Sequence, residues 1–144
     1  MDSVARRMQG LGLGGTKLRR HMMDTAAARR GDENVSTPDE VVRLLQAIQK
    51  SDSAVDLLKK PKESRLRKGL PPGVATADKP GELDGVRVDA GIVFARSRPY
   101  VFSVMTTFLR DEGEGERGIE EMSRAAYEYF SRLPDAPLGR RIGR

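Results

Sequence analysis

Ala75-Thr76-Ala77-Asp78-Lys79-Pro80-Gly81-Glu82 decides how the second half of the chain is read. It is a short apolar strand that ends in a lone lysine and runs into two residues with special backbone properties. Glu82-Leu83-Asp84-Gly85 then has turn chemistry, and two strand-like runs follow, Val86 to Phe94 and Tyr100 to Phe108. In the first run Val86, Val88, Ala90, Ile92 and Phe94 fall at every second position, opposite Arg87 and Asp89, which predicts a strand with one buried, apolar face. The second is apolar on both faces and reads as an interior strand. Ala95 to Pro99 is a hairpin-sized connection. The result is a three-stranded antiparallel meander with Lys79 at an end of its first strand. Two readings of Lys79 stand open: a solvated lysine before a Pro-Gly turn, or a site lysine projecting into a cleft.

Around this meander the sequence predicts helices, giving an α+β fold. Asp2 to Gln9 has helical spacing and ends at Gly10-Leu11-Gly12-Leu13-Gly14-Gly15. That glycine run follows a helix and lacks a Gly-Lys-Ser/Thr ending, so it reads as a cap and loop, not a phosphate cradle. Thr37-Pro38-Asp39-Glu40 starts a helix, with Thr37 as N-cap, Pro38 in first position and Glu40 completing a capping box. Val41, Leu44, Leu45 and Ile48 are its apolar stripe. A second short helix is expected near Ala54 to Lys60, stopped by Pro61, and the basic stretch Lys62 to Lys68 leads to the connector Gly69-Leu70-Pro71-Pro72-Gly73. After an acidic loop, Asp111 to Gly118, the positions Ile119, Met122, Ala126, Phe130 and Leu133 define a helix that covers the sheet. Residues 134–144 read as a disordered basic tail behind a single domain, residues 1–133.

Composition narrows the function. The chain has 144 residues, 38% of them hydrophobic, enough for one modest core. Its net charge of +5 is spread over arginine and lysine pairs interleaved with acids, with three Tyr, four Phe and no Trp to stack bases, so no nucleic-acid partner is expected. Without cysteine no thiolate metal site can form, with His21 alone no all-protein zinc site is expected, and no other metal or cofactor is expected. No run approaches the roughly 20 apolar residues of a membrane span. If Met1 is the start, the first residues lack a signal peptide.

The order of these features resembles class A β-lactamase-like serine hydrolases, which share their fold with penicillin-binding transpeptidases. The resemblance is carried by Leu18-Arg19-Arg20, the Thr37-Pro38 helix start, Gly69-Leu70-Pro71, and the strand ending Asp78-Lys79-Pro80-Gly81 before a two-strand meander and last helix. It covers almost the whole chain, as the carboxy-terminal half of that fold. Of the family motifs Ser-x-x-Lys, Ser-Asp-Asn and Lys-Thr-Gly, Lys79-Pro80-Gly81 occupies the position of the third. Asn34-Val35-Ser36-Thr37-Pro38 and Asp89-Ala90-Gly91-Ile92-Val93 look like its flanking signatures.

The departures bear on activity. No serine has lysine three positions on, so the nucleophile motif is absent, and Ser51-Asp52-Ser53 lies in the wrong place for the second motif. Met22 stands where the deacylating glutamate is expected, leaving Asp24 as the nearest substitute; the other reading of Asp24 is a loop residue held by an arginine such as Arg20. Pro80 replaces the threonine of the third motif. What the resemblance implies is a fragment of a hydrolase of β-lactams or related peptide-like amides and acyl bonds, from an exported, periplasmic or extracellular parent tied to antibiotic resistance. As given, the chain should be inactive. In this reading Lys79 attracts a substrate carboxylate and, with Gly81 and the backbone N–H of Glu82, lines the binding strand. The last strand needs a neighbour, which the family supplies from its amino-terminal strands. The alternative is a non-catalytic binding remnant that uses the Lys79 cleft or a pairing partner along the last strand.

Overall fold

The computed structural model describes residues 2–60, 63–96 and 98–133; the expected tail, 134–144, lies outside them. The helices are α1 (Asp2–Gly10), α2 (Thr25–Arg29), α3 (Pro38–Ile48), α4 (Asp52–Lys59), α5 (Arg65–Lys68) and α6 (Glu112–Ser131). The strands are β1 (Thr76–Leu83), β2 (Val86–Val93) and β3 (Tyr100–Thr106), antiparallel in the order β1-β2-β3. The α+β meander under a last helix is therefore present.

Period-two alternation and the register sort the sheet into two faces. Ala77, Lys79 and Gly81 lie beside Ile92, Ala90 and Val88, which lie beside Val101, Ser103 and Met105. This first face receives α3 and α4: Val55 packs with Ala77 and Ile92, supported by Ile48, Leu58 and Phe94. The second face carries Thr76, Asp78, Pro80 and Glu82, then Val93, Gly91, Asp89 and Arg87, then Tyr100, Phe102, Val104 and Thr106. It receives α5 and α6. Leu66, Val93, Ala95 and Tyr100 form its core, with Phe130 stacked on Tyr100 at a ring separation of 4.4 Å.

Several expectations are corrected. Lys79 is fourth of eight residues in β1, not at its end, because Pro80 to Leu83 continue the strand and the turn is only Asp84-Gly85, with Gly85 at φ 64°. The burial of β2 is not confined to its apolar face. Ile92 is buried there and Val86, Val88 and Ala90 are half-buried, but Arg87, Asp89, Gly91 and Val93 on the other face are all buried too. Charge does not force Arg87 and Asp89 outward, since each finds partners under α5 and α6. The segment Asp111 to Gly118 is not a loop. Asp111 caps α6 through Gly113 N (2.8 Å), and Glu112 and Glu114 sit in its first turn, where the helix dipole favours them.

Thr37 does cap α3, accepting from Glu40 N at 3.2 Å, but Glu40 does not return to complete a capping box. Its carboxylate accepts from Gly15 N (2.7 Å) and Thr16 Oγ1 (2.5 Å), which fastens the glycine run to α3. Those bonds, Thr16 first, hold the Glu40 carboxyl below its ordinary range. Finally β3, apolar on both faces and expected in the interior, is like β1 an edge of the sheet among the described residues, half-buried from Val101 to Thr106.

Candidate active-site strand

The direction of each backbone group on β1 follows from one bond. Phe94 N donates to Ala75 O at 3.0 Å, so this pair is a hydrogen-bonded one. By alternation Ala77, Lys79, Gly81 and Leu83 spend their backbone groups on β2. Thr76, Asp78, Pro80 and Glu82 direct theirs to the open edge. Pro80, opposite Asp89, thus costs the ladder nothing, as a strand proline must. The N–H groups of Asp78 and Glu82 face out beside it. The exposed Lys79 side chain turns to the same edge, and its Nζ donates to Pro80 O at 2.5 Å. One cation, two outward N–H groups and the Pro80 carbonyl are thereby gathered along the five residues Asp78 to Glu82, an arrangement that can grip an anionic, amide-like group.

The underside of this strand is braced. Arg65 Nη2 bonds Glu82 Oε2 and Glu116 Oε1, both at 2.7 Å, and Arg67 Nε bonds Asp78 Oδ1 at 2.7 Å. The two arginines of α5 flank buried Leu66 and reach β1 on either side of Lys79-Pro80-Gly81. Arg87 extends the network to Glu112 and, at 3.0 Å, to Glu116, and donates to the carbonyls of Leu83 and Val86 at 2.9 Å each. Glu112 is held below the ordinary carboxylate range by Gly85 N and then Arg87, and Glu116 by Arg87 and then Arg65. Of these residues only Glu82 was singled out from sequence, and for its backbone N–H, not for this carboxylate. The signal was present in charges that share one face: Asp78 and Glu82 on β1 are in phase with Arg87 and Asp89 on β2.

Asp24 lies elsewhere. It is half-buried as the N-cap of α2, its Oδ1 accepting from Ala27 N at 2.9 Å. It sits in a loop closed by reciprocal Lys17 and Val35 backbone bonds of 2.9 and 3.0 Å. Arg20 does not hold Asp24; it pairs with Glu33 at 2.8 Å because the loop turns back on itself there, and Asn34 Oδ1 accepts from Arg19 N and Arg20 N. Met22, expected from the resemblance to take the glutamate's place, is 84% exposed. Among the described residues no hydrogen bond or ion pair joins Asp24 to Lys79.

The profile of the β-lactamase enzyme family matches residues 1–130. Among solved structures the chain superposes on the penicillin-binding protein PBP-A with a TM-score of 0.79 at 23% identity, covering 92% of this chain and 52% of that one. The β-lactamase of Sphaerobacter thermophilus gives 0.77 at 26% identity (92% and 54%), and a class A β-lactamase of Bacteroides cellulosilyticus 0.76 at 23% (92% and 55%). The chain thus spans about half the length of the solved structures it matches. No curated protein sequence matches it. On the family profile and the shared partial fold, the chain belongs to the β-lactamase enzyme family.

Proposed function

We propose that residues 1–144 are the carboxy-terminal portion of a β-lactamase-like serine hydrolase acting on β-lactams or related amide and acyl bonds, and that they supply its substrate-binding strand. The observation that carries this is the open edge of β1, where Lys79 Nζ lies beside the outward N–H groups of Asp78 and Glu82. Lys79 attracts the substrate carboxylate, and the Glu82 N–H serves as an oxyanion donor, with Gly81 keeping the strand surface low. Asp24 is the remaining carboxylate near the Met22 position; its engagement with Ala27 N leaves it a minor part in this reading. A related solved structure is a PBP-A variant in an acyl-enzyme complex with penicillin G.

With no Ser-x-x-Lys in the chain, acylation has no nucleophile, and the chain by itself binds without turnover. The nucleophile belongs to a segment outside these residues, in an exported parent. No helix of the described residues is long and apolar enough to cross a membrane. The test is titration of the chain with penicillin G, followed by amide NMR. Shifts confined to residues 78–82 and abolished by Lys79→Ala support the reading; shifts unaffected by that change overturn it.

A second reading rests on β3. By the same alternation Val101, Ser103 and Met105 point their backbone groups away from β2, and no charge lies between Tyr100 and Phe108. A sheet edge so unprotected accepts a strand. In this alternative the chain is a non-catalytic remnant that binds a partner strand there. It predicts association abolished by Ser103→Pro and indifferent to Lys79→Ala.

A further inference from the structure

The usable edge of β1 is much shorter than the strand. Its edge-directed backbone groups belong to Thr76, Asp78, Pro80 and Glu82. Thr76, Ala77 and Asp78 are buried, so a second chain has no room to lie along that half. Pro80 has no N–H to give. Its carbonyl is already engaged, by Lys79 Nζ at 2.5 Å. Beyond Leu83 the chain turns at Asp84-Gly85, with Gly85 at φ 64°. In the exposed half of the edge, Glu82 is therefore the one residue that directs both an N–H and an unengaged C=O outward. Adding a strand to a sheet takes a run of such residues, because main-chain hydrogen bonds repeated at every second position supply the affinity. A proline on the edge prevents that run. The other edge lacks this device: on β3 Val101, Ser103 and Met105 all direct their groups outward, with no proline among them.

We propose that Pro80 sets the class of ligand that β1 accepts: a compact anion with a single amide, held at Glu82 and Lys79, and not an extended peptide. Glu82 holds the amide through its backbone. Lys79 Nζ spends one hydrogen on Pro80 O and keeps two for the anionic group. Successive edge-directed residues lie about 7 Å apart, which sets the scale on which the ligand must space its two groups. A longer chain gains nothing, because residue 80 offers it no donor and the edge closes at Asp78. Pro80 touches no reacting atom; it is a specificity residue that acts by the donor it lacks. The inference rests on the hydrolase reading of this strand, and within that reading it selects small cyclic amides over peptides.

The test titrates the chain with two probes that each carry one carboxylate, acetyl-threonine and the pentapeptide acetyl-Thr-Val-Thr-Val-Thr, followed by amide NMR. In wild type the two bind equally, with shifts centred on Glu82 that do not spread along β1 as the probe lengthens. In Pro80→Ala, which regains the N–H, the pentapeptide binds up to about tenfold more tightly than acetyl-threonine, the worth of one further hydrogen bond. A wild-type affinity that grows with peptide length overturns the proposal without any variant. So does a Pro80→Ala chain, shown to be folded by its thermal midpoint, that treats the two probes alike. Where both bind wild type too weakly to compare, the Pro80→Ala pair decides. Penicillin G separates this from the hydrolase reading: if it leaves Glu82 of wild type unshifted, that reading falls, while the length dependence at Pro80 still decides the ligand class.

Discussion

The two faces of the sheet do not follow the usual allocation of side chains. The second face buries the charged Asp78, Arg87 and Asp89 beside Val93 and Tyr100, whereas the first is mostly apolar, closed at Ala77 and Ile92 and half open beyond them. Leu83 is 53% exposed on it, and Val88, Ala90 and Met105 are only half-buried. The difference teaches that in this sheet burial follows partners, not polarity. Each buried charge has an opposite charge or a backbone donor, while the apolar face lacks a covering layer over the part that holds Lys79.

The comparison can be broken most severely at Leu66, which is fully buried between the two arginines of α5. Leu66→Ala should cost about 2–5 kcal/mol in denaturant unfolding. Next is Gly91, where the strands approach closely. Gly91→Ala forces its new carbon against Asp78 Cβ and Ala77 O, 2.9 Å away, and should cost about 1–3 kcal/mol by the same measurement. Acid sharpens the contrast further. Because Glu112 and Glu116 titrate below 4.5 when folded, their contribution is present above that value and lost as pH falls through their lowered ones. Arg87→Gln should therefore flatten the acid limb of a stability profile. The smallest effect belongs to the open face, where Leu83→Lys should stay within about 0.5 kcal/mol of wild type. A larger loss would mean that this face is covered.

Much of the fold could be read directly because local signals agreed with the global arrangement. Thr37 and Pro38 start α3, the glycines end α1, and period-two alternation marks β2. What sequence reading missed was that the polar side of β2 is buried as well as the apolar one, because periodicity reports that two faces differ without saying which of them has partners. The partners, Glu112 and Glu116, sit in a stretch whose three glycines made it resemble a loop; they are helical because Asp111 caps them and two arginines hold them. Lys79 was legible as a site candidate only through its motif. The reason it faces the open edge, with Pro80 harmless to the ladder, depends on a register that no local pattern supplies. Asp24 was legible as a carboxylate but not as the cap of α2.

The central claim is that this chain carries a binding strand without a nucleophile, and nitrocefin hydrolysis tests it most directly. The purified chain should give no turnover above buffer. Joined to an amino-terminal segment that supplies Ser-x-x-Lys and the strand beside β3, it should hydrolyse nitrocefin, and Lys79→Ala in that complete form should abolish the gain. Turnover by residues 1–144 alone would contradict the account.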